Sequence, residues 1–250
     1  MPSEQAISEW PGLERRAPKL SDRNYLVLTA LARLISRQVD AGFGERRDLR
    51  VLDIGCGDKP YLPLVAHRAA TYRGLDSEAD PYVDDIGSAD SLPYDDESFD
   101  LALCTQVIEH LPDPVAAISE IHRVLAPGGM ALVSTHGVHV FHPDPPGSGQ
   151  DYWRWTHAGL EKLFRDVAPW GRVELDAMGN VIACFGALTT WYIDGELRRR
   201  GLERTRRAVI SIVNLVAERL DRRYPPTLRV PEPGSLSANY LVAARKDSGR

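Results

Sequence analysis

Apolar residues along this chain fall into two rhythms. Between Leu20 and Val39, the residues Leu26, Leu28, Ala30, Leu31, Leu34, Ile35 and Val39 recur at helical spacing. That predicts an amphipathic helix, with Ser21 as its cap. Gly42 and Gly44 break the pattern. From Arg50 onward, short apolar runs alternate with helical stretches. Strands are expected at 50–54, 71–76, around Val83, and at 99–105, 130–135, 172–176 and 239–245. Helices are expected at 61–70, from Asp113-Pro114 to Leu125, and at 156–167. Asp113 can cap, Pro114 suits a first turn, and Pro127-Gly128-Gly129 is expected to stop that helix. A helical insertion at about 181–224 precedes the last strand. Strand–helix alternation of this kind implies a mostly parallel sheet covered on both faces. The expected class is α/β: a doubly wound, Rossmann-like sheet of seven strands. Residues 1–19 read as a flexible arm and 20–250 as one domain, with a lid loop at 136–156.

Composition narrows the partners. A hydrophobic share of 43% supports a substantial core, and a net charge of −5 gives no general attraction to nucleic acid or anionic membrane. Cys56, Cys104 and Cys184 are odd in number and far apart, with no CxxC pair, which argues against a zinc site or a disulfide framework. The polar Met1–Lys19 segment has no signal-peptide character, and the apolar-rich Val181–Ile193 stretch is too short to span a bilayer. A cytoplasmic protein without stable membrane insertion is expected. The arginines of the insertion (Arg198, Arg199, Arg200, Arg204, Arg206, Arg207) are diluted by Glu196, Glu203 and Glu218 and read as a solvated helix face.

The most informative segment is Val51-Leu52-Asp53-Ile54-Gly55-Cys56-Gly57. A buried strand runs into a Gly-x-Gly turn, where the backbone can bend tightly and approach a ligand. A dinucleotide fingerprint would want glycine where Pro60 stands. Asp53 and Asp58 flank the turn and disfavour a pyrophosphate. They suit a ligand that carries an ammonium and a sulfonium but no phosphate, as S-adenosylmethionine does. Asp76 ends the second strand, where an acid can take ribose hydroxyls.

The motifs VLDIGCG, YRGLD, ADSLPYDDESFDLALCTQVIEHLPDP and EIHRVLAPGGMALVST, spanning about Leu49 to Thr135, resemble those of class I S-adenosylmethionine-dependent methyltransferases. The resemblance implies the methyltransferase version of the fold and S-adenosyl-L-methionine as cofactor. It implies that Asp53, Gly55, Cys56 and Gly57 hold the methionine portion and shape the turn, and that Asp76 with Ser77 takes the ribose. Ser88, Ala89 and Asp90 would border the adenine, with the amino-group contact open between Ser88 and Asp90. Gln106 would face the methyl-donor centre. His110 is expected to brace the corner before Asp113.

After the fifth strand the chain runs from His136 to Thr156, rich in proline, glycine, histidine and aromatics. Methyl transfer needs a base only if the acceptor must lose a proton. His139 and His136 are the preferred bases. His142, Tyr152, Trp153 and Arg154 are expected to meet a small-molecule or glycan acceptor, since DYWRWT resembles bacterial methyltransferases associated with glycan or natural-product modification. His136, His139, His142, Asp144 and Asp151 are also metal-ligand types, but the prolines and glycines break a regular ligand face and no metal is expected. Phe185, Leu188, Trp191 and Tyr192 leave three roles open: acceptor pocket, helix packing or a homodimer contact. The expected function is O-methylation of a small molecule or sugar. The alternatives are a non-catalytic S-adenosylmethionine-binding module and, further off, a nicotinamide-dependent oxidoreductase.

Overall fold

The structure, a computed structural model, describes residues 1–143, 150–223 and 235–249. Its strands are β1 (Leu49–Ile54), β2 (Ala69–Asp76), β3 (Asp85–Ile86), β4 (Phe99–Thr105), β5 (Leu125–His136), β6 (Trp170–Ala177) and β7 (Asn239–Lys246). They form one sheet in the order β3-β2-β1-β4-β5-β7-β6. β1 pairs in parallel with β2 and β4, β2 with β3, and β4 with β5. Only β7 runs antiparallel, against both β5 and β6. The strand order reverses between β1 and β4, which is where open α/β sheets bind ligands.

The helices are α1 (Glu4–Ser8), α2 (Leu13–Arg16), α3 (Tyr25–Phe43), α4 (Leu62–Val65), α5 (Pro114–Val124), α6 (His157–Val167), α7 (Val181–Arg199) and α8 (Glu203–Arg223), with a 3-10 turn at Ile108–His110. Strand alternation splits the core in two. Leu52, Ile54, Ala102 and Cys104 face α5 and α6, where Ile118, Ile121, Leu160 and Phe164 cover them. Leu49, Val51, Leu101 and Leu103 face α3, which buries Leu31, Leu34, Ile35 and Val39 against them. The expected layering is therefore present.

Local chemistry sets the helix starts. Asp113 Oδ1 accepts from Val115 N and Ala116 N at 3.0 and 3.1 Å. Thr156 Oγ1 caps α6 through Gly159 N, and Asn180 Oδ1 caps α7 through Ile182 N. Ser21 is not a cap. Residues before Asn24 turn back on themselves, with Asp22 Oδ1 accepting Asn24 N, and α3 starts at Tyr25. The helix expected at 61–70 shrinks to α4, because residues from Ala69 onward pair with β1. The third strand is short, Asp85–Ile86, at the end of the 80–86 stretch around Val83 expected to hold it, and the Asp84 side chain before it accepts Gly74 N–H. α5 ends at Val124, just before Pro127-Gly128-Gly129, and that triplet lies in β5 where its pairing with β4 shifts register, Phe99 opposite Leu125 and Leu101 opposite Met130.

The insertion is a pair of packed helices. Asn214 Nδ2 ties it to Leu20 O and Asp22 O at 2.8 Å each, and Thr190 Oγ1 to Arg23 O at 2.8 Å. Arg198, Arg199, Arg200, Arg206 and Arg207 pair with Asp194, Glu196 and Glu203. Residue 224 of the insertion and residues 144–149 of the lid, Asp144 included, lie outside the described residues. Among those described, no helix is long and apolar enough to cross a membrane.

Candidate active site

A cavity of about 480 Å³ opens at the carboxyl ends of β1, β2 and β4. Gly55, Gly57, Asp76, Ser77, Ser88, Ala89, Asp90 and Gln106 all line it, so eight residues expected around the cofactor meet on one surface. Gly55 and Gly57 have φ of +65° and +48°, which favours glycine. A side chain at Gly55 would strike Val107 Cγ2 at 2.4 Å, whereas at Gly57 it would enter open space. Asp76 Oδ2 accepts Gly57 N–H at 2.9 Å and Oδ1 accepts Ser77 N–H at 2.7 Å, so its carboxylate is aimed by the turn it borders. Ala89 and Asp90 sit in a tight turn closed by Ser91 N donating to Ser88 O at 3.2 Å. Gln106 holds φ of +59°, uncommon for a side-chain-bearing residue. Its Nε2 donates to Ser134 Oγ at 2.9 Å and its Oε1 accepts from Asn239 Nδ2 at 2.7 Å, which fixes it at the cavity rim.

Asp53 and Cys56 lie beneath this surface rather than on it. Asp53 is buried on the α3 side of β1, accepts Tyr72 Oη–H at 2.6 Å, and has its carboxyl pushed up to about 7 by burial. Cys56 is buried too, and burial raises its thiol. Asp58 belongs to a different contact. Trp10 Nε1 donates to Asp58 O and Lys59 O at 3.1 and 3.0 Å, and Arg16 reaches Pro60 O at 3.2 Å. The N-terminal segment thus lies against the glycine turn and brings Arg15 onto the cavity wall. No local pattern marked Arg15; its place depends on Trp10 docking some 48 residues away in sequence.

Beside the cavity lies a cluster of histidines. His136 and His139 stack with centroids 4.1 Å apart and planes 3° apart. His110 lies 6.3 Å from His136 and 5.6 Å from His142. Trp191 of α7 packs edge-on to His139 at 5.1 Å and carries Arg23 over its face at 3.7 Å. Phe185 and Tyr192 point outward, 58% and 73% exposed. Burial lowers the His136 imidazole to about 2 and that of His139 to about 4, so both are neutral. Glu109 lies fully buried beside them, its carboxyl pushed up to about 8 by burial, with Thr135 Oγ1 donating to its Oε2 at 2.9 Å. Glu109 Oε1 and His136 Nδ1 approach to 3.4 Å, yet neither has an aligned hydrogen bond. This is a contact of neutral groups, not an ion pair.

Arg154 clamps the segment after β5. It grips both oxygens of Asp151 at 2.6 and 2.7 Å and reaches the carbonyls of His139 and Val140. That pairing holds Asp151 far below the usual carboxylate range. Tyr152 N and Trp153 N donate to Glu109 O, and Trp153 Nε1 donates to Leu111 O at 2.8 Å. None of Tyr152, Trp153, Arg154 and His142 lines the cavity: His142 belongs to the histidine cluster, Arg154 reaches it through His139 O, and Tyr152 and Trp153 are exposed, whereas His110 and Gln150 do line it. Among the described residues, no three histidine, cysteine or acidic side chains have metal-holding geometry.

Comparison with known proteins adds family evidence. Residues 21–176 match a family model described as a methyltransferase domain. A ubiquinone biosynthesis O-methyltransferase of Pseudomonas syringae pv. tomato is 33% identical over 101 residues, covering 34% of this chain and 44% of that protein. A protein of Mycolicibacterium smegmatis named a probable S-adenosylmethionine-dependent methyltransferase is 42% identical over 103 residues, covering 37% and 40%. The matched stretch thus spans less than half the length of these curated relatives. Among solved structures, the [4+2]-cyclase SpnF superposes with a TM-score of 0.54 at 20% identity, covering 87% of this chain and 82% of its own. Phosphoethanolamine N-methyltransferase 2 of Haemonchus contortus, in complex with S-adenosyl-L-methionine, gives 0.54 at 15% identity, covering 95% and 60%. At these identities the structural likeness concerns the fold alone.

Proposed function

The chain belongs to the class I S-adenosylmethionine-dependent methyltransferase family, and on that premise we propose that it methylates a hydroxyl of a small molecule or sugar. S-adenosylmethionine is the family's cofactor, and the cavity fits it. Gly57 leaves open space above the turn, and Asp76 presents a fixed carboxylate. Ser88, Ala89 and Asp90 form a small slot, and Arg15 supplies a cation for a carboxylate. The observation that carries the reading is this convergence of the glycine turn, Asp76 and Gln106 on one cavity beside a histidine cluster.

When bound, the cofactor supplies an electrophilic methyl carbon. The protein's work is placement and water exclusion. Gly55 and Gly57 give close backbone approach. Asp76 takes the ribose hydroxyls. Gln106, locked between Ser134 and Asn239, sets the rim where donor and acceptor meet. A histidine of the cluster receives the acceptor proton; His136 and His139 are the candidates that sequence favours. His142, Tyr152, Trp153 and Arg154 build the wall behind. The O-methyltransferase relatives support an oxygen acceptor. Three buried, unpaired thiols suit a reducing, cytoplasmic setting.

The alternatives are a non-catalytic S-adenosylmethionine-binding module and a nicotinamide-dependent oxidoreductase. Calorimetry with S-adenosylmethionine, S-adenosylhomocysteine and NAD, followed by radiolabelled methyl transfer to sugars, phenols and amines, separates the readings. Binding of the first two and labelling of a hydroxyl compound is expected. Preferential NAD binding would overturn the cofactor assignment. Cofactor binding without labelling of any acceptor would favour the non-catalytic module.

A further inference from the structure

One group on the cavity wall is held as a base is held, although the sequence favours bracing over catalysis for it. His110 lines the cavity beside Gln106, Val107 and Leu111, and its residue is 8% exposed. Its Nδ1 lies 2.7 Å from the carbonyl oxygen of Gln150. A carbonyl oxygen only accepts, so Nδ1 carries the hydrogen, and in the neutral ring Nε2 carries the lone pair. Nε2 is buried and has no hydrogen-bond partner in the described structure. A fixed tautomer with its acceptor nitrogen unpaired, on a residue that lines the cavity beside Gln106, is the arrangement general base catalysis requires.

We propose that His110 Nε2 takes the proton of the acceptor hydroxyl. The inference rests on the proposed methyl transfer to oxygen. The acceptor oxygen's lone pair forms the new oxygen–carbon bond while the carbon–sulfur bonding pair returns to sulfur. The hydroxyl proton ends on Nε2, leaving an imidazolium whose Nδ1–H still donates to Gln150. His136 and His139 are less suited. They stack on each other, and neither lines the cavity. His139 Nδ1 is engaged with Val140 O at 3.1 Å.

The groups around His110 come from the 3-10 turn, β5 and the segment that follows β5. Glu109 is its neighbour in the 3-10 turn; His136 ends β5, followed by His142, Asp151 and the Arg154 bound to Asp151. Among the described residues, Asp151 is held ionised by Arg154 in the segment that also carries Gln150.

The test uses the full chain and His110→Asn, because asparagine keeps a donor toward the Gln150 carbonyl but offers no basic nitrogen. Histidine-selective isotope labelling and proton–nitrogen correlation spectra read the tautomer without any acceptor. A ring protonated at Nδ1, its signals absent in His110→Asn, is expected; a ring protonated at Nε2 overturns the proposal. Calorimetry should show S-adenosylmethionine bound by both proteins, and absence of binding by the native chain would sink the broader reading instead. With catechol and radiolabelled cofactor, His110→Asn should lose about 100- to 10,000-fold in rate, together with the rise in rate as pH increases. Nitrocatechol, whose hydroxyl ionises unaided at much lower pH, should lose far less. Equal losses on the two phenols, or no loss on catechol, overturn the base role. If neither phenol is labelled while the cofactor is bound, the tautomer decides.

Discussion

Replacing Asp76 with alanine separates a ligand-binding carboxylate from a turn brace. Its two oxygens accept Gly57 N–H and Ser77 N–H at 2.9 and 2.7 Å. Each oxygen keeps further acceptor capacity, and two ribose hydroxyls would use it. Hydrogen bonds to charged groups are worth about 1.5–3 kcal/mol each. Two of them at the lower end come to about 3 kcal/mol, which at about 1.4 kcal/mol per decade raises Kd for S-adenosylmethionine about 100-fold. Asparagine keeps one carbonyl acceptor but not the charge, so Asp76→Asn should fall between, at about tenfold. The same carboxylate braces the turn, so alanine should also lower unfolding free energy by about 1–3 kcal/mol. Calorimetric titration reads the first effect and urea unfolding the second. Unchanged cofactor affinity with a lowered unfolding midpoint would refute the ribose assignment, because the brace would then be the whole of its role.

Arg15→Ala should weaken cofactor binding by about 2- to 5-fold at low salt, with the difference vanishing at high salt, since an exposed cation is screened. A salt-independent effect would remove the charge role. Asp113→Ala deletes the acceptor of two N–H groups at the start of α5 and should cost about 1 kcal/mol in urea unfolding with no change in cofactor affinity. Glu109, pushed up to about 8 by burial, keeps its proton in the folded chain where the unfolded chain has lost it. Its contribution is full below about pH 4 and declines as pH rises toward about 8. Relative to Glu109→Gln, the native chain should lose about 2–4 kcal/mol of unfolding free energy between about pH 5 and about pH 8; a constant difference across that range would contradict a neutral buried carboxyl.

What the sequence shows well is what neighbours in sequence decide. The cap at Asp113, the strand running into Gly55 and Gly57, and the acid ending β2 follow from residues within a few positions. Pairing across the sheet is not local. Gly128 and Gly129 look like a helix stop, and α5 does end before them, yet they fall within β5, in the gap where its register with β4 shifts. Asp53 looks like a cavity residue because it precedes the glycine turn. Strand alternation turns it toward α3, where Tyr72, itself on β2, meets it. Asp53 and Asp58 therefore lie off the cavity, while Asp76 stands on it.

His110 and Arg15 were harder to read for one shared reason: each acquires its role from a segment distant in sequence. The Gln150 carbonyl that sets the His110 tautomer lies 40 positions away, and the Trp10 contact that brings Arg15 to the cavity spans 48. A histidine beside a glutamate at a strand-to-helix corner has bracing as its ordinary explanation, and Glu109 does anchor the backbone of Tyr152 and Trp153. The same anchoring seats the loop that carries Gln150, so the corner braces the segment that in turn orients the ring. Bracing and catalysis at this corner are one arrangement seen from its two ends, which is why removing the imidazole nitrogen while keeping the donor toward Gln150 is the substitution that tells them apart.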